Sequence, residues 1–274
     1  MTEIELAGGA HASGRMRVLW FLFGMQKKYA CPQNWNELDR AQLLSIAKYL
    51  FNKHNPYVAK LMVMRQLTRM PLIALEWISN EDKLFLTDQV DWAFDVTNLS
   101  LTKQLIARYG GLYGPADKFS NMTVGEFFFA DSFFLQYNKT QNVLMLDQLV
   151  AILYRHKENK HSADDTGDVR KAFNNNTIDS RVKLIAKWPA EVKHAVFLYY
   201  MGCRNDLVAK YDMIFGAPDE NGSAGSNEVQ TIYPYITLYA GKWGGVPGAM
   251  KVKIHSFLTD VQINLQMKKQ AKPK

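Results

Sequence analysis

The stretch of chain from Leu112 to Arg155 constrains the fold most, because a turn is followed by two strongly apolar helical patterns. Gly114-Pro115 marks the turn. Thr123 and Glu126 have capping-box spacing, in which hydroxyl and carboxylate each accept a hydrogen bond from an unpaired amide at a helix start. Apolar residues then recur at steps of three and four: Phe127, Ala130 and Phe134, followed by Leu146, Leu149, Val150 and Leu153. The segment predicts a pair of packed helices.

The same helical period recurs along most of the remaining chain. Further helices are predicted over these ranges: from an Asn34/Glu37 capping box to about Lys53, from Pro56 to before Pro71, from a Ser79/Asp82 cap through Trp92 and Phe94, Leu101–Tyr109, Ile178–Lys187, Pro189–Phe215 and about 249–269. The predicted fold class is mainly α, a multi-helix globular fold of roughly eight to ten helices. The apolar run Val18–Phe23 predicts one short N-terminal strand.

Length and composition allow one large domain or two smaller ones. The chain has 274 residues, of which 47% are hydrophobic, enough for a substantial core and too many for a disordered chain. A polar stretch at 157–177 is the predicted domain boundary, with a helical lobe at 31–156 before it and a second at 178–270 after it. The N-terminal 1–30 segment is expected to be partly loose. A turn-rich linker is predicted at 217–227.

The net charge of +7 is concentrated at the C-terminal end, where residues 251–274 contain six lysines and one acidic residue. The candidate electrostatic contacts are Lys268, Lys269, Lys272 and Lys274. One interpretation is a basic tail that binds nucleic acid or an acidic partner. The other is a solubilising helix end, since lysine in the last turn complements the helix dipole. The second is favoured because no arginine or aromatic residue separates the final lysines.

Aromatic residues crowd the C-terminal half of the chain. Most of them are expected to lie in the core, among them Trp188, Tyr199 and Tyr200. The others form a candidate aromatic partner surface, because tyrosine and tryptophan are enriched where proteins bind one another: Tyr233, Tyr235, Tyr239 and Trp243.

No catalytic, cofactor-binding or metal-binding residue is predicted. Gly241-Lys242 lacks the earlier glycine and the following Ser/Thr of a phosphate-binding loop, so a turn between helices is expected. The His and Asp residues at 156–168 match neither zinc nor calcium spacing, which indicates a solvated loop. Asp88, Asp91 and Asp95 are interpreted as a solvated acidic face of one helix, and Cys203 as a core residue on an apolar stripe.

Cysteine content and hydropathy bear on the compartment. Cys31 and Cys203 lie far apart and form no disulfide framework, so reduced thiols in a cytosolic setting are expected. The run Val18–Phe23 is too short to span a bilayer, and no small-residue cleavage site follows it. The sequence therefore predicts neither membrane association nor a small-molecule substrate.

Part of the chain resembles a group of proteins that tailed phages and prophages encode near their tail genes, regarded as tail-assembly chaperone-like or tail-associated. The matching pieces lie within 34–46 and 113–155, which together span roughly a fifth of the chain: Tyr113 to Asp117 (YGPAD), Asn121 to Asp131 (NMTVGEFFFAD), Leu149 to Arg155 (LVAILYR) and Asn34 to Ile46 (NWNELDRAQLLSI). These pieces are packing and capping patterns. The resemblance carries over no active-site residue.

The resemblance implies a non-enzymatic, all-α protein that binds other phage tail or assembly proteins, in the cytoplasm of the host cell or in the phage particle. Such a protein would shield apolar surface on a tail protein until assembly, with the segments at 157–177 and 217–227 letting helical lobes adapt to it. The alternative hypothesis is a nucleic-acid-associated accessory protein that uses the basic C-terminal tail. An enzyme of unrecognised type is the third.

Overall fold

The computed structural model describes residues 2–5, 28–158, 168–216 and 232–271. These residues form twelve α-helices, nine of them with seven or more residues, and four short strands, so the prediction of a mainly α fold is confirmed. Contacts divide the chain into two compact units, Met1–Asn98 and Leu99–Lys274. None of the helices in the described ranges is long and apolar enough to cross a membrane.

The described part of unit 1 contains a two-stranded antiparallel sheet and four α-helices. The strands are β1 (Thr2–Glu5) and β2 (Lys28–Cys31), with Thr2 opposite Cys31. The helices are α1 (Arg40–Phe51), α2 (Pro56–Thr68), α3 (Leu72–Trp77) and α4 (Asn80–Asp88). The predicted strand Val18–Phe23 lies outside the described residues.

The first helix starts five residues later than the sequence pattern predicts. Asn34 caps only a single 3₁₀ turn, and its side chain bonds Glu37. The capping box of α1 is formed by Asp39 and Gln42, whose side chains each bond the other residue's amide. Asn34 and Glu37 have the right spacing, but the extended backbone of Leu38 ends their turn. The caps predicted at Pro56 and Ser79 are confirmed.

The helix predicted to run from Ser79 through Phe94 ends at Asp88. Asp91 begins a separate 3₁₀ turn, where its carboxylate pairs with Lys60, and Asp95 accepts a hydrogen bond from the Thr97 amide. The prediction that Asp88, Asp91 and Asp95 share one helix face is therefore wrong. Short polar side chains that bond nearby backbone amides compete with the helix, and Asp95 does so here.

Unit 2 contains the remaining elements. Its helices are α5 (Val124–Thr140), α6 (Val143–Leu153), α7 (Ile178–Ile185), α8 (Ala190–Lys210), α9 (Asp212–Phe215), α10 (Tyr233–Tyr239), α11 (Val246–Ala249) and α12 (Ile254–Gln270). Strands β3 (Arg108–Tyr109) and β4 (Leu112–Tyr113) form a hairpin. The predicted helix 189–215 is interrupted at Tyr211, and the predicted linker 217–227 lies outside the described residues.

The central helix pair matches the sequence prediction. Thr123 and Glu126 form the predicted capping box at the start of α5. Gln141, in the left-handed conformation, ends α5 two residues before α6 begins, and the two helices pack together. Phe127 and Phe134 are buried, as the helical period predicts.

The helix predicted over Leu101–Tyr109 is absent: the segment is irregular and ends in β3. Gly110 and Gly111 have positive φ values of 53° and 79°, which suits a tight two-residue hairpin turn between twisted strands. Farther back, the backbone at Leu101 lies against Gly202 of α8. Apolar side chains of this segment are buried, as they would be on one face of a helix. Here, however, contacts with residues far along the chain bury them.

The predicted boundary at 157–177 differs from the division found at 98/99. The polar stretch does not separate the helices on either side, because α6 and α7 pack together. Arg170 donates to the Leu153 carbonyl at 2.8 Å, and Arg181 donates to the Ala151 carbonyl at 2.7 Å. Both guanidinium groups thus bond carbonyls in the last turn of α6, where cations are favoured.

Candidate functional site

The candidate site is built by α10, the 3₁₀ turn Ala240–Trp243 and α12. Pro234 lies in the first turn of α10, where its missing N–H leaves no hydrogen bond unmade. Gly244 and Gly245 follow the turn with φ values of 77° and 91°, so the chain reverses into α11. The predicted interhelical turn at Gly241-Lys242 is confirmed.

Two residue sets that the sequence analysis treated separately meet here. The Lys268 ammonium lies 5.7 Å from the centre of the Tyr239 ring, joining the basic end of α12 to the aromatic residues of α10. Lys242 pairs with Asp260 of α12 and lies 5.3 Å from the centre of the Trp243 ring. An ammonium group over an aromatic face is attracted by the negative centre of the ring.

The two helices that this contact joins also carry exposed aliphatic side chains. Leu238, the chain neighbour of Tyr239, is 63% exposed, and Met267, the chain neighbour of Lys268, is 61% exposed. Ile263, one helical turn before Met267, is 44% exposed, and Tyr233 at the start of α10 is 48% exposed. We call this set the aromatic–lysine surface: Tyr233, Leu238, Tyr239, Lys242, Ile263, Met267, Lys268 and Lys269.

The predicted aromatic partner residues differ in exposure. Tyr233 is exposed, with its ring 5.7 Å from that of Phe128 on α5, whereas Tyr235, Tyr239 and Trp243 are half-buried. The Tyr239 hydroxyl and the Trp243 indole nitrogen are buried atoms with no hydrogen-bond partner in the part of the chain that the structure describes. Of the predicted set, Tyr233 offers the most ring surface to a partner.

The predicted lysines are described only in part. Lys268 and Lys269 are exposed in the last turn of α12, and Lys272 and Lys274 lie outside the described residues. Residues 232–271 contain five lysines and one acidic residue, Asp260, and that carboxylate is paired with Lys242. Residues 232–271 therefore carry a net positive charge.

A second polar cluster, which the sequence analysis missed, lies in the core of unit 2. Glu126 is 0% exposed, and one of its carboxylate oxygens lies 2.9 Å from Arg155 Nη2 and 3.1 Å from Arg170 Nη2. Asp168 lies 3.1 Å and 2.8 Å from the same two nitrogens. The prediction of a solvated loop is therefore wrong at Asp168, because that carboxylate neutralises two buried arginines. His161, Asp164 and Asp165 lie outside the described residues.

Burial shapes the electrostatics of this network. It lowers the pKa of Arg155 to about 10, against the attraction of Glu126, and neighbouring Arg170 lowers it further. A low-polarity site disfavours the charged form of any group, so each arginine depends on nearby carboxylates. Two other buried ion pairs hold α8 in place: Arg204 with Asp131 at 2.6 Å and Lys193 with Asp147 at 2.8 Å.

Groups with nucleophilic or metal-binding chemistry are sparse in the described ranges. Cys31 and Cys203 are both buried free thiols, as predicted for Cys203. Burial raises the pKa of the Cys203 thiol to about 12 and that of the Cys31 thiol to about 11, which disfavours the reactive thiolate. Within those ranges no three His, Cys, Asp or Glu residues are grouped as a metal ion would require.

Three of the four segments that resemble phage proteins lie in unit 2, and two of these contribute Glu126 and Arg155 to the buried network. Tyr113 and Arg155 exchange backbone hydrogen bonds of 2.8 Å and 3.0 Å. Asn121 accepts a hydrogen bond from the Ala116 amide, and Asp131 pairs with Arg204. No protein-family model matches the chain, and no curated protein or solved structure shows significant similarity to it.

Proposed function

We propose that this chain is a non-enzymatic, tail-associated protein of a tailed phage or prophage, and that it binds other tail proteins during assembly or in the particle. The connection to tails rests on the resemblance of the segments at 34–46 and 113–155. The binding role rests on the aromatic–lysine surface.

One observation carries the binding role: α10 and α12, which the Lys268–Tyr239 contact joins, each carry exposed aliphatic side chains. Leu238 and Met267 are each more than half exposed, beside Tyr239 and Lys268. Burying apolar surface contributes about 25 cal/mol per Å². An apolar cluster rimmed by polar groups is typical of a protein interaction site, where a partner's side chains would replace water.

The position of the charged core residues also supports binding over catalysis. Glu126, Arg155 and Arg170 form a group of ionisable side chains in which each member is at least nine-tenths buried. Their hydrogen bonds go to backbone carbonyls and carboxylates of the same unit, which is how a core network stabilises a fold.

Co-expression with the proteins encoded beside its gene tests this proposal. We expect one of them, a tail protein, to co-elute with this chain in a stoichiometric complex on size-exclusion chromatography. The variant Leu238→Ser/Lys268→Glu should weaken that complex. Absence of a complex with every tail protein from the same genome would contradict the proposal.

The nucleic-acid alternative is supported by the net positive charge of residues 232–271. It requires affinity that falls steeply with salt, because lysines bound to phosphates release counterions. Lys242 is already paired with Asp260 within the protein. We therefore favour a protein partner.

A further inference from the structure

We propose that the aromatic–lysine surface binds an acidic amphipathic helix of a partner protein. This inference rests on the proposed binding function and specifies the chemistry of the partner. The surface combines a short aliphatic strip with lysines at its edge. The two features together identify an acidic amphipathic helix as the partner.

The aliphatic strip has the spacing of helix-to-helix contacts. Ile263 and Met267 are one turn apart on α12 and therefore lie on one face, about 6 Å from each other along the axis. Leu238 lies on α10, which the Lys268–Tyr239 contact joins to α12. A partner helix with apolar side chains at positions i, i+3 or i+4, and i+7 presents a strip of the same width.

Charge selects an acidic partner. Lys268 and Lys269 are exposed in the last turn of α12, next to Met267. The single carboxylate within residues 232–271 belongs to Asp260, and Lys242 already neutralises it. A partner with Asp or Glu beside its apolar strip would pair with the two terminal lysines, whereas a basic partner would be repelled.

The same observations argue against nucleic acid as the occupant. Phosphate groups make no favourable contact with the exposed aliphatic groups of Leu238, Ile263 and Met267. Arginine, whose forked guanidinium suits phosphates and bases, is absent from the sequence after Arg204. Protein side chains satisfy both the strip and the lysines.

A displayed library of random peptides of about 16 residues, long enough for four helical turns, tests this proposal. The full-length chain serves as bait, and selected peptides are then measured by fluorescence anisotropy. We expect enrichment of peptides with Leu, Ile or Phe at helical spacing beside Asp or Glu. Leu238→Ser/Lys268→Glu should weaken their binding by at least about tenfold, or 1.4 kcal/mol.

A matched control changes the same residue types elsewhere in unit 2. Leu184 and Lys187 are exposed on and just after α7, and Leu184→Ser/Lys187→Glu should leave peptide affinity within about twofold of the wild type. Circular dichroism of both variants checks that the fold is intact. Because each variant reverses one lysine, a difference between them reports position and not net charge.

Three outcomes would overturn the inference: no enriched peptide, enriched peptides without acidic residues, or equal binding by both variants. Tighter binding to a single-stranded oligonucleotide of about 30 nucleotides, lost in Leu238→Ser/Lys268→Glu, would assign the surface to nucleic acid instead. A failure of this inference can be told apart from a failure of the proposed function. If a tail complex survives Leu238→Ser/Lys268→Glu, the surface proposal is wrong and the function stands; if acidic peptides bind but no tail protein does, the reverse holds.

Discussion

Glu126 is the residue on which the buried charges of unit 2 converge. Its carboxylate lies within salt-bridge distance of Arg155 and Arg170. The carboxylate also accepts a hydrogen bond from the Thr123 amide as part of the α5 capping box. Removing ions from water is expensive, so such a network is stable only when every charge keeps its partner. One side chain thus combines helix initiation with charge neutralisation.

We expect Glu126→Gln to lower the free energy of unfolding by about 3–5 kcal/mol, because it leaves two buried guanidinium groups short of one negative charge. Urea denaturation of the purified protein measures this. The control Asp179→Asn removes an exposed carboxylate from α7 and should change stability by no more than about 0.5 kcal/mol. Equal effects of the two substitutions would show that the network is not what stabilises the core.

A second residue-scale prediction concerns pH. Burial, assisted by the neighbouring Lys193 ammonium, lowers the pKa of His194 from 6.5 to about 4, and its Nε2 lies 3.2 Å from the Tyr137 hydroxyl. Between these values the unfolded chain binds a proton that the folded chain does not, so stability is present above pH 6.5 and falls as the pH drops. We expect His194→Gln to flatten the decline of the urea midpoint from pH 6.5 to 4. An unchanged slope would mean that His194 titrates alike in both states.

At the scale of elements, α8 and the segment around Leu101 touch backbone to backbone. A Cβ atom added at Gly202 would lie 2.7 Å from the Leu101 amide nitrogen and 2.8 Å from its carbonyl carbon. Asn205, one turn farther along α8, donates to the Leu99 carbonyl at 3.1 Å. Glycine in a helix interior is unfavourable by about 1 kcal/mol relative to alanine, and here it allows this close approach.

We therefore expect Gly202→Ala to lower the free energy of unfolding by about 1–3 kcal/mol. The Leu101 backbone cannot rotate away from the added methyl group as a side chain could. Gly241 is the matched control, because a Cβ there would meet nothing within 4 Å. Gly241→Ala should be neutral, or stabilising by up to about 1 kcal/mol. Thermal unfolding followed at 222 nm, a helix signal, compares the two. Similar melting temperatures would contradict the close packing at Gly202.

The α5 helix supplies another matched pair. Phe134 is buried, with ring centres of Phe197 and Tyr200 at 5.2 Å and 5.1 Å, whereas its neighbour Phe133 is half-buried. We expect Phe134→Ala to lower the free energy of unfolding by about 3–5 kcal/mol, as when a core aromatic is truncated. Phe133→Ala should have a clearly smaller effect. Equal losses in chemical denaturation would mean that both rings contribute alike to the core.

These elements show which parts of the fold a sequence can predict. The α5 and α6 helices depend on local signals, namely the Thr123/Glu126 capping box and an apolar period that continues over many residues. The segment Leu101–Tyr109 has a similar apolar pattern, but the backbone at its start packs against Gly202, far along the chain. Long-range backbone contacts leave no trace in a short sequence window, so the helix prediction failed there.

The aromatic–lysine surface and the buried charged network could likewise be predicted only in part. Sequence composition singled out Tyr239 and Lys268 individually, but not their contact, which requires α10 and α12 to be neighbours. The sequence indicated solvated loop residues at Asp168 and Arg170 because the stretch 157–177 is mostly polar. The one signal available was Glu126, a charged residue followed directly by three phenylalanines, which indicated a carboxylate close to the core.

At the scale of the whole molecule, the chain consists of two compact units. The buried network, the α5–α6 pair and the aromatic–lysine surface all belong to Leu99–Lys274. Unit 2 has its own core, since Leu149, Tyr200 and Phe257 are each fully buried within it. It therefore meets the requirement for independent folding.

We expect a fragment comprising residues 99–274 to fold on its own into a helical protein with a single cooperative unfolding transition. Circular dichroism of the purified fragment measures its helix content, and urea denaturation measures its unfolding transition. The fragment should also retain binding of the acidic peptides selected with the full-length chain. A broad, non-cooperative transition would show that residues before Leu99 complete the core of unit 2.

The close approach of Leu101 to Gly202 has a consequence for mutational scanning. A survey of random substitutions scored by biological activity would find its least tolerant positions at Gly202, Glu126 and Arg155, none of which is exposed to a partner. If the proposed binding role is correct, substitutions at Leu238 or Met267 would reduce activity while leaving cellular abundance unchanged. Only a scan that records abundance and activity for each variant separates the residues that keep this protein folded from those with which it makes contact.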